Sequence, residues 1–294
     1  MNARAPSAPA ADPREAEQIA YWNDATAAHW TTLQARIDHV FSPITALAME
    51  AASPRPGERA LDIGSGCGAT VLELARRVGP QGQVCGIDIS VPMSACARER
   101  IAAAGLATAD IVVGDAATHA FVAADRDLLF SRFGVMFFAD PHAALANLLR
   151  ATRGGGRLAW VAWRHLAENP WFAVPLQAAL PLLPAAPPAD PLAPGPFAFA
   201  DADRVRHLLR TAGWQNVKLV RHDVPLRLAA ADDVAGAADL VTCMGPLARR
   251  LARSNPNPAL KTAVRASLEA ALSTHVAAGG IVLTASTWII SAYA

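Results

Sequence analysis

The sequence predicts an α/β fold: a doubly wound sheet, N-terminal helices before it and a helical cap beside it. Three observations carry this. Between residues 59 and 163 short apolar runs alternate with helical patterns, and such alternation builds a parallel sheet covered on both faces. The first run leads through Gly64-Ser65-Gly66-Cys67-Gly68 straight into a helical pattern at Thr70–Arg77. Glycine at alternate positions lets backbone N–H groups approach a ligand that any Cβ would push away. Finally, the first three runs each end at a carboxylate, Asp62, Asp88 and Asp115, which parallel strands bring to one sheet edge.

The elements follow in order. Residues 1–13, MNARAPSAPAADP, lack the apolar centre of a secretory signal and are expected to form a disordered tail. Residues 14–52 carry helical spacing through Ile19, Trp30, Leu33, Ile37, Val40 and Phe41, with Ser42-Pro43 expected to break it. The core spans 53–164, with strands at 59–63, 83–88, 110–113, 127–131 and 157–163 and a glycine turn between the last two. Gly105 suits the position just past a helix end.

Composition changes at 165–200, where prolines from Pro170 to Pro196 are interleaved with Trp171, Phe172, Phe197 and Phe199. A helix at 171–182 and an irregular loop are expected there. The segment reads equally as a cap over the sheet edge or as a rigid surface linker. In the remaining part, 201–294, a helix at 202–212 ends at Gly213 and feeds a long strand at 217–228. Helices at 231–252 and 258–278, inserted before a closing strand at 281–292, would extend the cap.

Composition bounds the function. Lys+Arg number 26 against Asp+Glu 25, a net charge of +1, so the clustered basic excess of a nucleic-acid binder is missing. Apolar runs are interrupted before the ~18 residues a membrane span needs. Cys67, Cys85, Cys96 and Cys243 have no metal spacing and read as free thiols in a reducing cytoplasm. No His/Asp/Glu cluster has the spacing of a divalent-metal site, so no metal is expected. Oligomeric state is not legible.

Asp88 lies near the offset at which an acid meets ribose hydroxyls in dinucleotide-binding proteins, and the glycine run alone fits a nicotinamide site if Ala69 takes the last small-residue slot. The third acid, Asp115, is not part of that pattern. It suits the exocyclic amine of an adenine, so three acids together suit a nucleoside.

LDIGSGCG, GIDIS, VVGDA, DLLFSRFGVMFFADP and LRATRGGGRLAWVAW together resemble the motifs of the class I S-adenosylmethionine-dependent methyltransferases, over about residues 58–164. The resemblance implies seven strands with the last antiparallel, slotted between the fifth and sixth. It implies S-adenosylmethionine as cofactor, bordered by Gly64, Ser65, Gly66 and Gly68, with Asp62 below the loop. Asp88 would take the ribose hydroxyls, Ile89 and Met93 the adenine faces, Asp115 and the Ala116 N–H the adenine edge. Ser131 and Arg132 would offer carbonyls to the methionine ammonium. Tyr21 and Trp22 resemble aromatics that close over the cofactor, although core packing is the alternative.

The function implied is methyl transfer to oxygen, nitrogen or carbon of a small aromatic or apolar acceptor, chiefly by proximity and exclusion of water. Trp30, Phe133, Phe137, Trp163 and Trp171 are expected to wall the acceptor, joined by Phe138, Phe172 and Trp288. Arg132 and Arg164 would steer an anionic or phenolate acceptor, while Arg249, Arg250 and Arg253 read as a solvated helix face. Met136 occupies the position where phenolic O-methyltransferases carry a basic histidine, so His29, His165 and His222 are the remaining candidate bases. Asp140-Pro141-His142 reads as a helix cap. Two rivals remain: a nicotinamide-dependent oxidoreductase, and a binding module, non-catalytic or partner-dependent, on the same fold.

Overall fold

Short β-rich runs separated by helices fold into one sheet. A computed structural model describes residues 13–185 and 190–294. The strands are Arg59–Ile63 (β1), Gln83–Asp88 (β2), Ala109–Val113 (β3), Arg126–Arg132 (β4), Thr152–Trp163 (β5), Gln215–Ala229 (β6), Val276–Ala277 (β7) and Gly280–Tyr293 (β8). Their order is β3-β2-β1-β4-β5-β8-β6, with the two-residue β7 paired to β8. β1 to β5 pair in parallel, and β8 runs antiparallel between β5 and β6. The order reverses between β1 and β4, so a crevice opens beyond the C-terminal ends of these strands, where ligands of such sheets bind.

The helices are Pro13–Asn23 (α1), Ala25–Thr32 (α2), Gln34–Ala52 (α3), Ala69–Val78 (α4), Val91–Ala103 (α5), Pro141–Ala151 (α6), Pro170–Ala179 (α7), Ala202–Thr211 (α8), Val234–Thr242 (α9), Gly245–Ser254 (α10) and Pro258–Ser273 (α11). α3 lies against β4, β5, β6 and β8, α4 and α5 against β2 and β3, and α8 against β6. Trp160, Trp171, Trp214, Phe41 and Phe130 are fully buried. Each such side chain contributes about 1.5–3 kcal/mol by leaving water. Arg157 fastens the end of α3 to the sheet: it donates to the carbonyls of Ala52 (2.8 Å) and Ser53 (2.7 Å) and to both Glu58 oxygens (2.8 and 2.9 Å). Burial opposes ionisation of Glu58, yet the Arg157 hydrogen bonds hold its carboxyl below the usual range.

Several boundaries differ from expectation. Pro43 does not break its helix but sits inside α3. The carbonyl of His39, which Pro43 cannot serve, accepts the Ser42 hydroxyl at 2.7 Å instead. The glycines expected to turn between the fourth and fifth strands lie within β5. A register shift there pairs Arg126 with Thr152 but Leu128 with Arg157, leaving the glycines as a bulge.

The helix expected over 231–252 is two helices, α9 and α10, meeting at Cys243-Met244. Gly245 has φ +65°, and a Cβ there would lie 2.3 Å from the Phe172 ring. The helix expected over 258–278 stops at Ser273, where a tight hairpin of β7 with β8 begins. Only Pro13 of the expected tail is described, as the first residue of α1; residues 1–12 of that expected tail lie outside the described residues, as do Pro187 and Pro188.

Candidate active site

The glycine loop takes its shape from the residues around it. Gly64, Gly66 and Gly68 have φ of +67°, +53° and +79°. Gly64 lies so close to Gly134, after β4, that a Cβ on Gly64 would stand 2.6 Å from the Gly134 Cα. The Ser131 hydroxyl locks the same junction, donating to the Ile63 carbonyl at 2.7 Å and accepting the Gly134 N–H at 3.1 Å. Asp88, at the end of β2, accepts the N–H of Gly66 (2.7 Å) and of Ser90 (2.8 Å). Burial pushes the Asp88 carboxyl upward, with those two hydrogen bonds acting against it.

Asp62 is fully buried under the loop, accepting the Thr70 hydroxyl at 2.5 Å through one oxygen. Its other oxygen, Oδ1, has no partner, and neither has the buried Ser65 hydroxyl. Burial raises the Asp62 carboxyl to about 7, opposed by the Thr70 hydrogen bond and the Arg132 charge.

A single deep cavity runs from this loop to the N-terminal helices. Its polar half is lined by Gly64, Ser65, Gly66, Asp88, Ile89, Met93, Asp115 and Ala116. Its apolar half is walled by Trp22, Trp30, Phe41, Phe133, Phe137, Phe138, Trp163 and Phe172. Phe133 and Trp163 stack at 3.9 Å between centroids, and Phe41 meets both edge-on or tilted at 5.5 and 5.9 Å. Tyr21 lines the cavity from α1, and Trp22 packs on Phe137 at 5.0 Å.

Not every expected residue reaches the cavity. Gly68 shapes the loop from outside it, where a Cβ would lie 2.9 Å from that of Ala97, and Ser131 and Asp62 lie beneath it. Trp171 is packed on Phe41 at 5.6 Å, behind the wall. Trp288 is turned toward the Ala200 carbonyl, its indole N–H donating at 2.8 Å. Arg164 is neither in the cavity nor in solvent. It is buried between Glu168 (2.5 Å) and Asp223 (2.7 Å), with its guanidinium over Trp288. None of His29, His165 and His222 lines the cavity: the first two are exposed, and the third sits on β6.

Arg132 does line the cavity, but its charge is matched. It donates to Thr45 at 2.7 Å and faces Asp38 at 3.8 Å, and Asp38 is also held by Arg100 at 2.7 Å. Burial pushes the Arg132 pKa downward, and the Asp38 and Asp62 charges oppose that shift.

Sequence reasoning missed three contributions. Asn23 pins α1 over the adjacent strand end, donating to the Ile89 carbonyl (3.0 Å) and accepting the Val91 N–H (2.8 Å). Its place beside the Tyr21-Trp22 pair was the available signal. Gln18 and Gln34 line the cavity, each with a buried amide oxygen that has no partner. Arg249, expected on a solvated face, instead lines the cavity, its guanidinium 4.6 Å from the Tyr21 ring centre. Arg249 and Arg250 reach the carbonyls of Pro194 (3.5 Å) and Pro184 (2.6 Å), tying α10 to the proline-rich segment, whose Pro196 also lines the cavity.

Among the described residues, no group of three metal-ligating side chains converges, and no helix is long and apolar enough to cross a membrane. Comparison with known proteins agrees with this architecture. Residues 60–156 match the model of a methyltransferase domain. The chain is 32% identical over 254 residues to nocamycin O-methyltransferase of Saccharothrix syringae, covering 83% of this chain and 88% of that one. It is 38% identical over 120 residues to aklanonic acid methyltransferase DauC of a Streptomyces species, covering 41% of this chain and 54% of that protein. The fold resembles that of the YcgJ protein of Bacillus subtilis, with a TM-score of 0.53 at 16% identity over 85% of this chain and 97% of that one. The glycine loop, the strand-end acids and this kinship together make the chain a member of the class I S-adenosylmethionine-dependent methyltransferases.

Proposed function

We propose that the enzyme methylates a small aromatic or apolar acceptor, with S-adenosylmethionine in the polar half of the cavity and the acceptor against the aromatic wall. The observation that carries this reading is the continuity of one cavity with two chemistries, the glycine loop with Asp88 and Asp115 at one end and stacked rings at the other. The residues fit the cofactor. Ser65 Oγ is buried without a partner, and a Cβ on Gly66 would meet nothing nearer than the Met93 sulfur at 4.0 Å, so the loop face is open to a ligand.

When bound, S-adenosylmethionine supplies a methyl group already activated on a sulfonium. Asp88, desolvated and with lone pairs to spare beside its two N–H donors, accepts the ribose hydroxyls. Ile89 and Met93 cover the adenine faces, Asp115 and Ala116 meet its edge, and Tyr21 closes over the site from α1. Gly64 and the backbone at the end of β4, at Ser131 and Arg132, border the methionine end, and Asp62 acts from beneath the loop through its unpartnered oxygen. Residues 14–52 serve as the lid. The proline-rich segment, with α9, α10 and α11, serves as the cap. Together they exclude water from the transfer.

No histidine or lysine is among the described residues lining the cavity. In this reading the catalytic work is chiefly the positioning of donor and acceptor. The balanced charge and four free thiols favour a cytoplasmic enzyme acting on a metabolite and not on nucleic acid. The test is transfer of labelled methyl from S-adenosylmethionine to a panel of aromatic hydroxy, keto and carboxylic acid compounds. Label on at least one supports the reading. Tight S-adenosylhomocysteine binding with no transfer to any compound contradicts it and favours a partner-dependent module.

A further inference from the structure

The arginines of this cavity are not equivalent. Arg132 is occupied by Thr45 and Asp38, and Arg164, outside the cavity, by Glu168 and Asp223. Arg249 lines the cavity with no carboxylate within ion-pair distance among the described residues. Its contacts are the face of Tyr21 and one long hydrogen bond, 3.5 Å, to the Pro194 carbonyl. A guanidinium over a ring and against a backbone oxygen keeps most of its donors for a ligand.

A second, independent feature marks the same region. Gln18 stands one turn before Tyr21 on α1; it is 6% exposed, and its amide oxygen has no partner. A buried amide oxygen without a partner is costly unless a donor on a ligand satisfies it. The remaining carboxylates of the lining are accounted for in part by others: Asp38 by two arginines, Asp88 and Asp115 by backbone N–H groups. Glu15, one turn before Gln18, is the acid of α1 that also lines this region.

We propose that Arg249 recognises an anionic group on the acceptor, so that the enzyme selects an aromatic organic acid over its neutral analogue. The inference rests on the proposed placement of the acceptor against the aromatic wall. The rings supply an apolar surface for the acceptor's body, and Arg249 supplies its counter-ion, while the Gln18 amide oxygen is left to accept from a donor elsewhere on the bound ligands. Because Arg249 touches both α1 through Tyr21 and the proline-rich segment through Pro194, an acid bound to it also joins those two walls of the cavity.

The test is binding of 2-naphthoate and of neutral 2-naphthamide to the protein, with and without saturating S-adenosylhomocysteine. The wild-type protein is expected to favour the acid by about ten-fold or more, as a charge-assisted hydrogen-bonded pair would give. Arg249→Gln is expected to abolish the preference and Arg249→Lys to keep part of it. Unchanged affinity of both variants for S-adenosylhomocysteine shows that the site is intact. Equal binding of acid and amide to the wild type, or an undiminished preference in Arg249→Gln, would overturn the assignment. Failure of S-adenosylhomocysteine itself to bind would instead overturn the cofactor placement, and the preference for the acid would still be read on the protein alone.

Discussion

The Asp88 carboxylate accepts the Gly66 backbone N–H at 2.7 Å, so the end of β2 and the glycine loop are one unit. The proposed ribose acceptor thereby also sets the loop that borders the rest of the cofactor. Asp88→Ala is expected to weaken S-adenosylhomocysteine binding by about 10–100-fold, the loss of hydrogen bonds to a charged acceptor. Asp88→Asn, which keeps the shape, should fall between. Calorimetric titration of both variants reads the effect, and wild-type affinity in Asp88→Ala would remove Asp88 from the ribose site.

Gly134 carries a steric requirement. A Cβ there would lie 2.4 Å from the Ile63 carbonyl oxygen and 2.8 Å from the Gly64 Cα. Gly134→Ala should therefore push the glycine loop away from β4, costing about 1–3 kcal/mol of stability and weakening cofactor binding. Gly154→Ala, where nothing lies within 4 Å, is the control and should leave both unchanged or slightly improved. Urea unfolding of the two variants distinguishes a packing requirement from a general effect of alanine.

Asp62 predicts a pH dependence. Burial disfavours the ionised form and pushes its folded-state carboxyl up to about 7, above an exposed aspartate. Ionising it costs stability: the cost is absent in acid, grows as the pH rises from the ordinary aspartate range toward 7, and is constant above that. Asp62→Asn should thus stabilise the ligand-free protein more at about pH 8 than at about pH 5, by thermal unfolding. A cofactor ammonium nearby favours the ionised form, so affinity should decline as the pH falls below about 7 and proton release should accompany binding. An unchanged pH profile in Asp62→Asn would contradict this role.

Arg157 is a structural fastener remote from the cavity. It joins Ala52, Ser53 and Glu58 while nine-tenths of Glu58 is withdrawn from water. Arg157→Met leaves the buried Glu58 carboxylate with only the Arg55 N–H and removes the donor to the Ala52 carbonyl, and should cost about 2–4 kcal/mol. The affinity for S-adenosylhomocysteine in the folded variant should be unchanged, which chemical unfolding and calorimetry together check.

The parts of the fold written in local chemistry were legible in the sequence. Strand-then-acid repeats placed β1, β2 and β3, and family resemblance placed β8 between β5 and β6. Most of what escaped depended on contacts between distant segments. Pro43 was expected to end a helix, because nothing local says that Ser42 will serve the freed His39 carbonyl. The division between α9 and α10 falls at Gly245-Pro246, where Gly245 has φ +65° and Phe172 occupies the space a side chain would need; the Gly-Pro pair was a local signal for it.

In the site, residues of the glycine loop and strand ends were readable because their spacing and the family resemblance point to the same positions. The arginines were not. Arg164 is drawn into the interior by Glu168 and by Asp223, the latter 59 positions away, and Arg249 is brought to Tyr21 by the placement of α10, which packs on α7 and α9. Both depend on long-range pairing that helical or strand periodicity does not record.

The most direct test of the account is calorimetric titration of the purified protein with S-adenosylmethionine, S-adenosylhomocysteine and NADH side by side. Binding of the first two at about micromolar dissociation constants and no heat from NADH is the expected result. Binding of NADH alone, or silence from all three, would contradict the placement of S-adenosylmethionine against Gly66, Asp88 and Asp115.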